Sequence, residues 1–249
     1  MGAEKKKENL KDIFSVFRDF RNYLGEAYLQ FGEPINLNVL LKEYPLSDYS
    51  SEKDWLFKVT PVLGKKIMTN INNSTVVTST ALFSLAILNS DGFSISKREL
   101  VSRIELLKSL LAEDKYSAKT LICEKTGEEI IDQMRKLGFL SKEDINDRIS
   151  LTNLEAAKLS FYRNNISHLL IFESLICGFF QYQKEIIKED LLQSIKMIYP
   201  FLKEEFFLKW DEADLDQIID IKLKRLIYKN LILEDSNVFR RPDFKSMEF

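Results

Sequence analysis

Two stretches of this chain follow one scheme, and the repetition narrows the folds open to it. EEIIDQMRKLGFLSKEDINDRISLT, residues 128–152, reads as a helix, a stop at Leu137–Gly138, then short apolar runs around polar turn residues. LDQIIDIKLKRLIYKNLILEDSNVFRRP, residues 215–242, repeats it with Asn230 at the stop and Asp235–Asn237 at the turn. A helix followed by a hairpin is the end of a winged helix. VVTSTALFSLAIL (76–88) and KRELVSRIELLKSLL (97–111) can supply the earlier helices of the first copy.

From about residue 50 onward the chain reads as helical, so the expected class is mainly α with winged-helix-like helix–hairpin units. Ser51–Asp54, Ser96–Glu99, Thr126–Glu129 and Thr152–Glu155 each set a hydroxyl three residues ahead of an acid, just before an apolar pattern. Such a hydroxyl accepts a bond from an orphan helical N–H, and the acid favours the positive end of the helix dipole. Only 8 Gly and 5 Pro interrupt the chain, which agrees with helix. The longest apolar runs, 76–88 and 166–180, fall short of the roughly 20 residues that cross a bilayer and are expected to be core helices. MGAEKKKENL is expected to be neither a signal peptide nor a myristoylation site, because it runs into an amphipathic pattern and carries Lys6 where Ser or Thr is wanted.

A winged helix raises the question of DNA, and charge argues against it. Along the would-be recognition helix Lys125–Leu137, Lys125, Arg135 and Lys136 are cancelled by Glu128, Glu129 and Asp132. The whole chain carries 36 basic and 38 acidic residues, a net −2, so no nucleic-acid partner is expected. Cys123 and Cys177 lie far apart in apolar surroundings and are expected to be buried free thiols. No metal or cofactor is expected.

The first part of the chain differs. Leu10, Ile13, Phe14, Phe17, Phe20 and Leu24 form an apolar helical stripe. With Lys5, Lys6 and Lys7 ahead of it, that helix could rest on an anionic membrane surface. Asp12 and Asp19 dilute the charge and favour packing against another domain. Tyr28, Leu29 and Phe31 suit a strand that Gly32 and Pro34 end. One strand cannot satisfy its own backbone, so it calls for a sheet supplied from elsewhere. Glu33 reads as the end of that strand, and the acids from Asp211 to Asp216 as the first turn of a helix closing with Lys222, Lys224 and Arg225.

FYRNNISHLLIFE (161–173) holds the chain's one histidine, His168, five positions before Glu173. That is the spacing of the His-x4-Asp with which many acyltransferases deprotonate a hydroxyl, with Glu in place of Asp. Residues five apart on a helix share a face poorly, and Ile166, Leu169, Leu170, Ile171 and Phe172 surround the ring, so a packed structural histidine is expected.

GAEKKKENL, YLQFGEPINL, VVTSTALFSLAIL, FYRNNISHLLIFESLI and YPFLKEEFFLKW, in this order, resemble the C-terminal part of the bacterial glycerol-3-phosphate acyltransferases, from residue 2 to Arg240–Pro242. The resemblance implies acyl transfer from acyl-carrier protein or acyl-coenzyme A to the 1-hydroxyl of sn-glycerol 3-phosphate, in phospholipid synthesis. The family's His-x4-Asp and FPEG-type phosphate-binding segment lie upstream of the matched region, and His168 aligns with a non-catalytic YRNN-x-x-H segment. Residues 1–45 are then expected to be the last helix and strand of an α/β acyltransferase domain, and 46–249 a helical C-terminal domain. Expected partners are that upstream domain, through Phe14, Phe17, Phe20, Arg163, Asn164, Asn165 and His168, and the cytoplasmic side of the inner membrane. Acyl donors would be met only through the full enzyme. The alternative is a stand-alone winged-helix-like interaction or regulatory module.

Overall fold

The structure, a computed structural model, describes residues 25–140 and 147–242. The Phe14, Phe17 and Phe20 stripe lies outside the described residues. Residues 25–36 are extended without strand pairing, and the expected strand at 26–31 does not form. A strand exists only against a neighbour, and among the described residues none lies alongside. Side chains pin the segment instead. Glu33 pairs with Lys119 at 2.7 Å, Asn70 donates to the Glu33 carbonyl at 2.8 Å, and Gln30 donates to the Lys119 carbonyl.

Helix α1 (Leu37–Glu43) starts on the Asn36 cap, and α2 (Glu52–Asn73) on the expected Ser51 cap. The Trp55 indole donates to the Tyr44 carbonyl at 2.7 Å and joins the two. Strand β1 (Val76–Val77) leads into α3 (Ser79–Ile87), in which nearly every residue is buried. The apolar run at 76–88 is therefore a core helix, as expected. Among the described residues no helix is long and apolar enough to cross a membrane.

The first winged unit grows around α3. It continues with β2 (Ser94–Ser96), α4 (Lys97–Glu113), β3 (Leu121–Ile122), α5 (Gly127–Lys136) and β4 (Arg148–Ser150). β4 runs antiparallel to β2 with Ile149 opposite Ile95, while β3 pairs parallel with β1. Helix α6 (Asn153–Asn164) then lies along α3. A 3-10 turn at Ser167–Leu170 opens the second unit, α7 (Ile171–Phe179), β5 (Glu185–Ile187), α8 (Lys188–Phe206), α9 (Leu215–Tyr228), β6 (Leu233–Asp235) and β7 (Val238–Arg240). Its sheet has the order β5-β7-β6, with Ile186 opposite Phe239.

The two units match in detail. SISKREL (94–100) and EIIKEDL (185–191) each give a three-residue strand with a buried central isoleucine, a lysine opening the helix, and a fully buried leucine, Leu100 or Leu191. The third helix ends the same way in both. Gly138 (φ 77°) and Asn230 (φ 56°) take the left-handed conformation at the stop. Phe139 N–H then closes on the Met134 carbonyl at 3.0 Å, and Leu231 N–H on the Leu226 carbonyl at 2.9 Å. Ser96, Thr126 and Thr152 cap their helices as expected, with reciprocal boxes at Thr126–Glu129 and Thr152–Glu155. At Ser96 the acid turns away, because Glu99 pairs with Arg103.

The units are joined by buried charge. Lys222 on α9 lies 2.8 Å from Asp114 after α4 and 3.0 Å from Glu173 on α7. Arg225, one turn on, reaches the same two carboxylates at 3.0 and 3.4 Å and donates to the Leu110 carbonyl. Lys222 is 5% exposed and Glu173 6%, so neither is compensated by water. Burial pushes the Asp114 carboxyl up, but the hydrogen bond and charge of Lys222, then Arg225, outweigh it and hold its pKa below the ordinary value. Lys222→Met leaves Glu173 short of its closest cation and is expected to cost about 3–5 kcal/mol in urea unfolding. Adding Glu173→Met is expected to recover most of that, because Arg225 and Asp114 still pair. A single variant as stable as the parent would mean the cluster does not join the units.

Candidate functional site

The FYRNNISH segment ends α6 and turns into the second unit, and its residues part company there. The Arg163 guanidinium donates to the Asn164 side chain at 3.2 and 3.3 Å. Its carbonyl accepts from Ser167 Oγ at 3.0 Å. Asn164 and Asn165 are exposed, while Arg163 is half-buried. His168 is only 4% exposed. As an interface residue it is therefore misplaced, because the 3-10 turn rotates its ring inward among the aromatic side chains between the two units.

The ring sits edge-on to Tyr116 with centroids 5.1 Å apart. Its Nε2 lies 3.2 Å from Thr75 Oγ1, and that hydroxyl donates to the Asn72 carbonyl at 2.8 Å. With its one proton spent there, Thr75 accepts from the ring, which assigns the imidazole hydrogen to Nε2. Glu173 does not face the ring; its carboxylate turns to Lys222 and Arg225. Burial drives the His168 pKa down to about 4, with only a hydrogen bond from the ring to the Asn72 backbone opposing. A general base needs a proton-accepting nitrogen open to substrate and a group that orients the ring. His168 has a hydroxyl and an aromatic edge.

Around it runs an aromatic joint. Tyr116 meets Trp210 edge-on at 4.9 Å, Trp210 meets Phe172 at 5.3 Å, and Phe172 stacks on Tyr199 at 5.8 Å. The Lys209 ammonium lies 4.6 Å from the Tyr116 centroid. Burial lowers the Lys209 pKa and lifts the Tyr116 phenol to about 12, so Tyr116 stays neutral. Trp210 is a packing residue here. Among the described residues no three of His, Cys, Asp and Glu gather as a metal would require. Cys123 touches Ser79 Oγ at 3.1 Å, and Cys177 is exposed rather than buried because Phe172 and Ile176 take the inner face of α7.

Sequence reasoning passed over the outer face of α2. Of its 22 residues only Val59 is buried, and Phe57 is 84% exposed. An open groove of about 600 Å³ runs between its C-terminal half and residues 26–35, lined by Tyr28, Leu29, Ile67, Asn70 and Ile71. The signal was present in the spacing of Leu56, Phe57, Ile67, Met68 and Ile71, but a periodic stripe looks the same whether the protein's own core or another body covers it.

The chain is thus two tandem winged units with a sealed histidine between them and an uncovered apolar helix. Residues 1–248 match the family described as the glycerol-3-phosphate acyltransferase C-terminal region, and the chain belongs to that family. It is 30% identical over 256 residues to a glycerol-3-phosphate acyltransferase of Pseudomonas putida, covering 100% of this chain and 31% of that protein. The enzyme of Glaesserella parasuis is 31% identical over 248 residues, covering 96% of this chain and 30% of the relative. That of Pseudomonas aeruginosa PAO1 is 28% identical over 257 residues, covering 100% and 31%. The chain thus spans less than a third of the length of the curated relatives it matches.

The packed histidine carries a direct prediction. Because His168 is the one imidazole in the chain, its proton NMR resonances report a single titration, expected to have its midpoint near pH 4. The folded pKa lies below the unfolded value of 6.5, so the stabilisation is present above pH 6.5 and is lost as pH falls toward 4. His168→Gln is expected to remove that part of the slope in melting temperature against pH. A midpoint near 6.5 would put the ring in solvent.

Proposed function

We propose that this chain is the scaffolding third of an enzyme that moves an acyl chain from acyl-carrier protein or acyl-coenzyme A to the 1-hydroxyl of sn-glycerol 3-phosphate. The chemistry belongs to the part of the enzyme upstream of the matched region, and this chain supports it without supplying a reacting group. The observation that carries the reading is the match of residues 1–248 to the family's C-terminal region at 31% of a relative's length. The burial of His168, with Glu173 turned to Lys222 and Arg225, supports the assignment of catalysis elsewhere. In this reading residues 1–45 belong with the acyltransferase domain and 46–249 form the C-terminal domain. The full enzyme works at the cytoplasmic face of the inner membrane as a peripheral protein.

A nucleic-acid role has one observation in its favour, the repeated winged topology, and the cations speak against it. Lys222 and Arg225 on α9 are neutralised by Asp114 and Glu173, and Lys125 ahead of α5 pairs with Glu26. A helix reading DNA keeps such groups for phosphate.

Acyl transfer from either donor to radiolabelled glycerol 3-phosphate is expected to be undetectable with this chain alone. Co-expression with the upstream two thirds of a full-length enzyme is expected to restore it to membrane fractions. Turnover by the chain alone sinks the reading.

A further inference from the structure

We propose that the outer face of α2 is the seat on which the upstream part of the full-length enzyme packs, helix against helix, with Gly64 at the point of closest approach. The proposal rests on the functional reading above and adds the surface and the mode of docking.

The face has the form of a packing seam. Phe57, Pro61, Gly64 and Met68 follow one another at spacings of four, three and four residues, and Leu56, Gly64, Ile67 and Ile71 form the adjoining row. Both rows meet at Gly64. Two features of the seam weaken the helix that bears it. Glycine in mid-helix is less stable than alanine, and Pro61 removes a hydrogen-bond donor from the helix interior. Nothing among the described residues calls for the glycine. Its backbone is not left-handed, and a Cβ built there meets no atom within 4 Å. A missing Cβ is useful only where another backbone comes close, since the approach of two helices is set by the side chains between them.

That observation selects the occupant. Water and lipid gain nothing from a missing Cβ, whereas a packed helix does. Among the described residues, twelve of the 23 exposed large hydrophobic side chains fall between Tyr28 and Ile71, so the uncovered surface continues from α2 through α1 into the segment at 25–36. The relatives carry more than twice this chain's length again beyond the matched region. A body joined to the same polypeptide is present at high effective concentration, which favours it over a second copy.

Thiol labelling tests the proposal without reading acyl transfer, so it stands or falls apart from the proposed activity. In a cysteine-free background, Met68→Cys and, as a surface reference, Lys184→Cys are reacted with a maleimide in this chain and in the purified full-length enzyme. In the chain alone both sites are expected to label at similar rates. In the full-length enzyme Met68→Cys is expected to slow at least tenfold while Lys184→Cys does not change. Gly64→Leu is expected to reverse that protection, and Gly64→Ala to raise the melting temperature of the chain alone, the opposite of what a packed core glycine would do. Equal labelling of Met68→Cys in both proteins overturns the proposal. So does protection already present in the chain alone, which would assign the face to its own residues 1–24 or to a second copy. Protection that appears only when anionic phospholipid vesicles are added would assign it to lipid, and protection that survives Gly64→Leu would remove the glycine from the contact.

Discussion

Two cations and two carboxylates, all but Asp114 largely out of water, decide how the halves of this molecule sit. Lys222 and Arg225 belong to the third helix of the second unit, Glu173 to its first helix, and Asp114 to the end of α4 in the first unit. Hydrophobic contact would hold the units together in many orientations. Three largely buried charges and a partly exposed fourth tolerate few, because a slip leaves a buried one unpaired in a poor dielectric. The aromatic joint of Tyr116, Trp210, Phe172 and His168 lies across the same seam and excludes water from it. The position of His168 follows from this arrangement. A ring needed to close a joint is not free to meet a substrate.

Local signals were legible where the physics is local. The four hydroxyl–acid pairs marked true helix starts, and the stops at Gly138 and Asn230 were visible as residues that tolerate a left-handed backbone. Strands were less legible, because a partner far along the chain decides whether they form. SIS at 94–96 and EII at 185–187 are too short for periodicity to register, yet each finds a partner strand far along the chain and becomes a strand. Tyr28–Phe31 carries a stronger strand composition and forms no strand with the described residues. Cys177 shows the same limit, since an apolar neighbourhood in sequence does not tell which side of α7 faces in. Of the candidate site, the burial of His168 was legible from its neighbours. The outer face of α2 was not, since its pattern is the one every core helix shows.

The winged topology here serves packing twice over. In each unit the strand before the second helix pairs with a strand that follows the third helix, and the isoleucine at its centre seals the base of the core. The third helix, which would enter a groove in a DNA-binding relative of the fold, faces the partner unit in the second copy and spends its cations there. The fold is retained and the reading face is consumed.

Helix α2 is clamped at one end. Asn72 donates to the Phe206 carbonyl at 2.7 Å, Thr69 donates to that of Phe207 at 3.3 Å, and the β1–β3 pairing follows immediately after. Toward Leu56 and Phe57 the grip is lighter, through the Trp55 bond to Tyr44. Mechanically this is a cantilever, about 20 Å from its root to its tip at 1.5 Å per residue, with Pro61 as a notch partway along. A load applied near the tip acts with leverage on the root. The root touches the end of α8 and, through Thr75, the histidine between the units. Whatever presses on the far end of this beam is thus coupled to the seam that orients the whole region.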